Sequence, residues 1–170
     1  KLHLVRMLNE NDLTVVLGYL NTESLLLSIA EPDIMTIGAY ENVRMFNSNE
    51  FKDEKKPTYG QNPRLYLSRF TQHIDSNYIN TINDCFDFDV VDESSYKSEL
   101  FDTGFNWHFT KPQIYKHYFS VICEQFEELK PLSGIDRYAW FCENIEHAMS
   151  NYSVIAAKGV VLGDKDGEEN

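Results

Sequence analysis

Apolar residues along the chain follow two periods, separated by polar punctuation. Residues 13–19 (LTVVLGY) and 34–40 (IMTIGAY) are β-branched, apolar runs with polar borders, the pattern of buried strands. Between them Thr22 can cap a short helix over 23–31, which Pro32 closes. Strand, helix and strand in that order predict a βαβ unit with a right-handed crossover and a parallel pair. The same order recurs further on. Residues 64–70 (RLYLSRF) read as a strand, 76–84 as a helix and 86–91 (FDFDVV) as a strand, with Asp87 and Asp89 alternating with Phe86, Phe88 and Val90. The polar stretch 47–63, with Pro57 and Gly60, has no periodicity and reads as a long loop of the kind that serves as a lid or binding loop.

Towards the C-terminus the period becomes helical. Thr110, Pro112 and Gln113 form a capping-box pattern, with Phe109 and Ile114 placed for a hydrophobic staple. The helix they open carries Ile114, Tyr118, Val121/Ile122, Phe126 and Leu129 on one face, and Pro131 follows it. Ser133 with Asp136 opens a second helix. Its predicted core stripe is Ile135, Tyr138, Cys142, Ile145, Met149, Tyr152 and Ile155, and Gly159 sits where a helix stops. The expected fold class is α/β, with a mostly parallel sheet of about four strands from βαβ units and two long C-terminal helices, in a single domain over 1–170. The alternation also fits part of a (β/α)-barrel. Because the chain starts at Lys1 and not at Met, it reads as much like a fragment of something longer as like a whole domain.

Charge narrows the function classes. The chain has 170 residues with 27 Asp plus Glu against 15 Lys plus Arg, a net charge of −12. Nucleic-acid recognition needs clustered cations, and an anionic membrane surface repels such a chain, so neither partner is expected. No apolar run is long enough for a membrane span. Cys85, Cys123 and Cys142 are odd in number, lie in apolar stretches and form no CxxC, which reads as reduced, buried thiols and a cytoplasmic location. There is no zinc-ligand spacing, and GxGxxG, GxxxxGKS/T, GxSxG and HExxH are all missing. No cofactor is therefore assigned, and whether the chain is an enzyme stays open.

Candidate chemistry follows from a topological rule: in a parallel α/β sheet, ligands meet the carboxyl ends of the strands. Glu41 and Arg44 follow the second strand, His73 and Asp75 the third, and Asn106, Trp107, His108 and Lys111 precede the first long helix. An enzyme domain built this way would use His108, His73, Asp75 and Glu41 as catalytic groups. Arg44, Lys111, Asn106 and Trp107 would hold a small-molecule substrate. Plainer roles compete: Glu41 and Arg44 as a surface ion pair, Asp75 as a helix cap, His108 as a hydrogen-bonded structural residue. The alternative class is a non-enzymatic acidic interaction protein, of inhibitor or immunity type. It would use residues 84–102, where seven carboxylates face one Lys97, to dock a basic protein partner. Asp87 and Asp89 on one strand face could instead protect a sheet edge or hold a hard cation.

Overall fold

The computed structural model describes residues 1–20, 22–38 and 62–162. The first unit begins with helix α1 (Leu2–Asn9), then strand β1 (Val16–Leu20), a 3₁₀ segment (Thr22–Ala30) and strand β2 (Ile34–Ile37). β1 and β2 pair in parallel, with Val16 opposite Ile34 and Leu17 opposite Met35. The first strand–helix–strand order thus forms, but its connection winds as a 3₁₀ helix and the strands are not the buried ones expected: Val16 and Ile34 are exposed and Leu17, Met35 and Ile37 half-buried. The Asp33 carboxylate accepts from the Val15 N–H at 2.7 Å and sets the entry to both strands. A small cluster of Val5, Val15 and Ala30 holds α1 against the 3₁₀ segment.

The second expected unit does not form. Strand β3 (Arg64–Leu67) runs through a one-turn 3₁₀ segment (Ser68–Phe70) into strand β4 (Gln72–Asp75), and the two pair antiparallel, Tyr66 facing His73. Thr71, in the left-handed region at φ 52°, closes the reversal, so the chain turns back before it can cross over. Helix α2 (Ser76–Asn83) follows as predicted. Residues 86–91 are not a strand. The Asn83 side chain accepts from the Val90 N–H, and the Asp89 side chain accepts from the Val91 N–H, both at 2.9 Å. These side chains take over bonds that a sheet ladder would have used. Val90 and Val91 are both buried although adjacent, which a half-exposed strand cannot achieve. The four-stranded parallel sheet is therefore replaced, among the described residues, by two separate two-stranded sheets, and there is no barrel.

After the short helix α3 (Lys97–Leu100) come the two long helices, α4 (Pro112–Leu129) and α5 (Gly134–Ala157). α4 opens on Lys111 without a side-chain cap and with Pro112 in its first turn, so the predicted Thr110 capping box is absent. The Thr110 hydroxyl instead pairs with His108 Nδ1 at 2.7 Å, and Phe109 remains exposed. α5 does begin at Ser133, whose Oγ accepts from the Asp136 N–H. It ends as predicted at Gly159, φ +79°: Val160 N–H bonds Ile155 O and Gly159 N–H bonds Ala156 O, both at 3.0 Å. At its start, Gly134 lets α5 approach the first unit. A Cβ there would lie 2.8 Å from the Ile29 carbonyl oxygen. Arg137 adds a hydrogen bond to Ser28 O at 2.7 Å.

β3 separates two cores. Its period-two alternation sends Leu65 and Leu67 into a cluster with Phe70, Ile74, Ile79, Ile82 and Val91, while Tyr66 enters another with Tyr118, Val121, Ile122 and Phe141. α4 buries the predicted face, but α5 does so only at its C-terminal end, where Ile155 is buried and Tyr152 packs against the core. The buried line of α5 is Phe141, Ala148 and Ile155, whereas Ile135, Tyr138, Ile145 and Met149 of the predicted core stripe face solvent. Of the three free thiols only Cys85 is buried; Cys123 is exposed and Cys142 half-buried. Among the described residues no helix is long and apolar enough to cross a membrane.

Candidate functional site

A concavity with a volume of about 420 Å³ lies where α2, the ordered 89–94 segment and α3 meet. Its floor is apolar, from Ile79 and Val91. Asn80 and Asn83 of α2 form one wall, and Ser94, Lys97 and Phe101 the other. Asp89 and Glu93 complete the lining. Two of the groups are placed by local chemistry already described: the Asn83 and Asp89 side chains that fold 89–91 into a turn. Lys97, on the first turn of α3, reaches back to both carboxylates, with its Nζ 2.7 Å from Asp89 Oδ2 and in contact with Glu93 Oε1. Partial burial opposes the Lys97 charge, but the Asp89 and Glu93 bonds outweigh it and raise its pKa. Asp89 is held below the usual carboxylate range: burial works against this, and the bonds from Lys97 and the Val91 N–H prevail.

Behind the cleft runs a buried polar thread. Ser94 Oγ accepts from the Tyr96 N–H at 3.3 Å and lies 2.7 Å from Nδ1 of His117. The hydroxyl and Nδ1 share one hydrogen bond, which ties α4 to the 94–96 turn. His117 is fully buried on α4, and Nε2 has no hydrogen-bond partner among the described residues. Burial pushes its pKa below the ordinary value, against the nearby Asp92 charge and the Tyr66 backbone. Asp92 accepts from the Ser68 N–H at 2.8 Å and from the Ser68 hydroxyl, which fixes the β3 turn. Tyr66 donates to Gln125 Oε1 at 3.2 Å, and burial drives its phenol pKa well above the usual range. His117 and Gln125 carry this thread, and neither was singled out in the sequence. The signal was present: each stands three or four residues from apolar partners on both sides, Ile114 and Val121 or Val121 and Leu129, and so belongs to the buried face.

None of the predicted site residues that are described lines this cleft. The His73 ring lies tilted against both Tyr66 and Tyr118, ring centroids 5.2 and 5.0 Å away. Asp75 caps α2, accepting from Asn77 N–H at 2.9 Å and from Asn62 Nδ2 at 2.7 Å. Trp107 packs edge-on against Phe101 and Phe105, and Lys111 lies 6.0 Å above the Phe105 ring. His108 and Asn106 are exposed. The segment 106–111 thus keeps its four candidates close in the chain, apart from the hairpin that holds His73. Glu41 and Arg44, most of the 47–63 loop and the residues beyond 162 lie outside the described residues. Among the described residues no three His, Cys, Asp or Glu side chains group in a way that could hold a metal ion. No protein-family model, curated protein or solved structure matches the chain.

Proposed function

We propose that the protein is a non-enzymatic acidic binding module, of inhibitor or immunity type, whose 84–102 surface docks a basic protein partner. One observation carries this reading. Asp84, Asp87 and Glu99 are exposed and have no cationic partner among the described residues, while the segment's one cation, Lys97, is already taken by Asp89 and Glu93. Two large rings stand among these charges, Phe88 at 45% and Phe101 at 40% exposure. The Arg69 guanidinium lies 4.7 Å from the Phe88 ring centroid, but carboxylates are in excess around both rings. Exposed rings in a net acidic field suit a steered interface: the charge speeds encounter and the rings supply desolvated contact. The segment is also held in shape before any partner arrives, by the turn bonds at Val90 and Val91 and by the Asp92 clamp, which limits the ordering cost of binding. The enzyme alternative loses its premise, since it placed a site at the carboxyl ends of a four-stranded parallel sheet.

Titration with a fluorescent octa-arginine peptide at rising salt tests the reading. Affinity is expected to fall steeply with salt. The combined Asp84→Asn, Asp87→Asn and Glu99→Gln variant is expected to lose roughly 1–2 kcal/mol, at a few tenths to about 1 kcal/mol per exposed pair. Salt-insensitive binding, or full affinity in the triple variant, would overturn it.

A further inference from the structure

α5 carries two apolar lines, each repeating every seven residues, and only one of them is used. Phe141, Ala148 and Ile155 face the cores. Beside them, Ile135, Tyr138, Cys142, Ile145 and Met149 run along the solvent side at spacings of three, four, three and four. Ile135 is 72% exposed, Tyr138 55%, Ile145 43% and Met149 64%, with Cys142 half-buried in their midst. The seam covers about 21 Å at 1.5 Å per residue, most of the helix. Singly exposed apolar residues need no explanation, but a continuous seam does. A strict three-four alternation is the register into which the side chains of a second, nearly parallel or antiparallel helix interdigitate.

We propose that this seam docks an amphipathic helix of a partner protein, with apolar residues in three-four spacing and Lys or Arg along its flanks. Charge selects the flanks: Asp136, Glu143 and Glu146 stand exposed on the outer side of the seam. Charge and area together disfavour a second copy as the occupant. Two chains of net charge −12 would bring like-charged flanks together. Covering these five side chains removes roughly 500 Å² per partner, short of the ~800 Å² a side of standard stable interfaces. That size suits a helix laid in a groove, held by a few anchors and flanking charges. The inference is independent of the 84–102 surface, and the two stand or fall separately.

The probe is a fluorescein-labelled three-heptad peptide with Leu at a and d and Lys at e and g. Its control replaces every Leu by Gln at the same charge. The Leu peptide is expected to bind at least about tenfold tighter than the control, and Ile145→Asp with Met149→Asp to weaken it by about tenfold or more, as loss of two apolar contacts requires. Both substitutions lie on exposed positions, so a circular dichroism melt should leave folding unchanged; Met149→Ser alone gives a milder second variant. Bound peptide should slow maleimide labelling of Cys142 but not of Cys123, and Asp87→Asn should leave its affinity unaltered. Equal binding of both peptides, or undiminished binding by both seam variants, overturns the proposal. So does a chain that sediments as a dimer and is rendered monomeric by Met149→Asp, because the seam would then belong to a second copy.

Discussion

Protonation of His117 is expected to destabilise the protein from within its core, with a sign that follows from the structure. The imidazole is fully buried, with its Nδ1 2.7 Å from the Ser94 hydroxyl. Burial then depresses the folded pKa below the ordinary 6.5. Between that depressed value and 6.5 the unfolded chain binds more protons than the folded one. Stability therefore rises with pH in this window and is lost as pH falls from about 6.5, at up to about 1.4 kcal/mol per pH unit for one proton. Urea denaturation between about pH 8 and about pH 5, at constant m-value, measures the slope. The His117→Gln variant, compared with the parent, cancels the contribution of the other four histidines. The difference curve should slope below pH 6.5 and flatten above it. Ser94→Ala should cost about 1–3 kcal/mol at neutral pH, because the buried Nδ1 loses its hydrogen-bond partner. Parallel curves for parent and His117→Gln would refute the assignment of a neutral, buried imidazole, and a neutral Ser94→Ala would refute its hydrogen bond.

Leu67→Ala removes a side chain with no exposure at the foot of β3 and should cost about 2–5 kcal/mol in chemical denaturation, whereas Met149→Ser should fall within about 0.5 kcal/mol of the parent. Gly159→Ala meets no atom within 4 Å but forces an L side chain to φ +79°, so it isolates the conformational cost, about 1–2 kcal/mol, read as a drop of several degrees in Tm. Lys97→Met should move the Asp89 carboxyl titration, followed by NMR, upward towards the ordinary value. Since a depressed carboxylate pKa supplies stability that is lost as pH falls through it, the acid limb of the stability profile should become shallower in that variant.

Much of the helical part was legible. Ser133 and Gly159 mark the ends of α5 because each answers a local geometric demand, a side-chain acceptor at one end and a positive φ at the other. The β1–β2 pair was equally readable from two apolar runs and a short connection. The rest failed for identifiable reasons. RLYLSRF looks like one seven-residue strand, yet it ends at Leu67, where a tight turn without Gly or Asn-Gly reverses the chain. FDFDVV alternates like a strand, but Asp89 and the preceding Asn83 can satisfy the backbone themselves, and the contest between side chain and ladder is not visible in periodicity. As for chemistry, the candidate residues were chosen by a rule about parallel sheets and inherit its failure. The cleft instead collects Asn80, Ser94 and Lys97, whose relevance depends on a turn that no motif announces.

The misjudged face of α5 has its own physical content. A helix that repeats apolar residues every seven positions on two adjacent lines offers the sequence reader two equally periodic faces, and a monomer can bury only one of them fully. Selecting the line from Ile135 through Tyr138, Cys142, Ile145, Met149 and Tyr152 to Ile155 was reasonable on period alone, since it is the longer and the more regular, and only its last residues reach the core. The tertiary fold buries the other line, through Phe141, Ala148 and Ile155, because Gly134 and Arg137 bring that side of the helix onto the 3₁₀ segment and β3 fills the space below. What remains outside is a surface with the pattern of a core. Under the two proposals the excess charge would act at two places: around Phe88 and Phe101, where it stands beside exposed rings, and beside the α5 seam, where Asp136, Glu143 and Glu146 would select the flanks of an incoming helix.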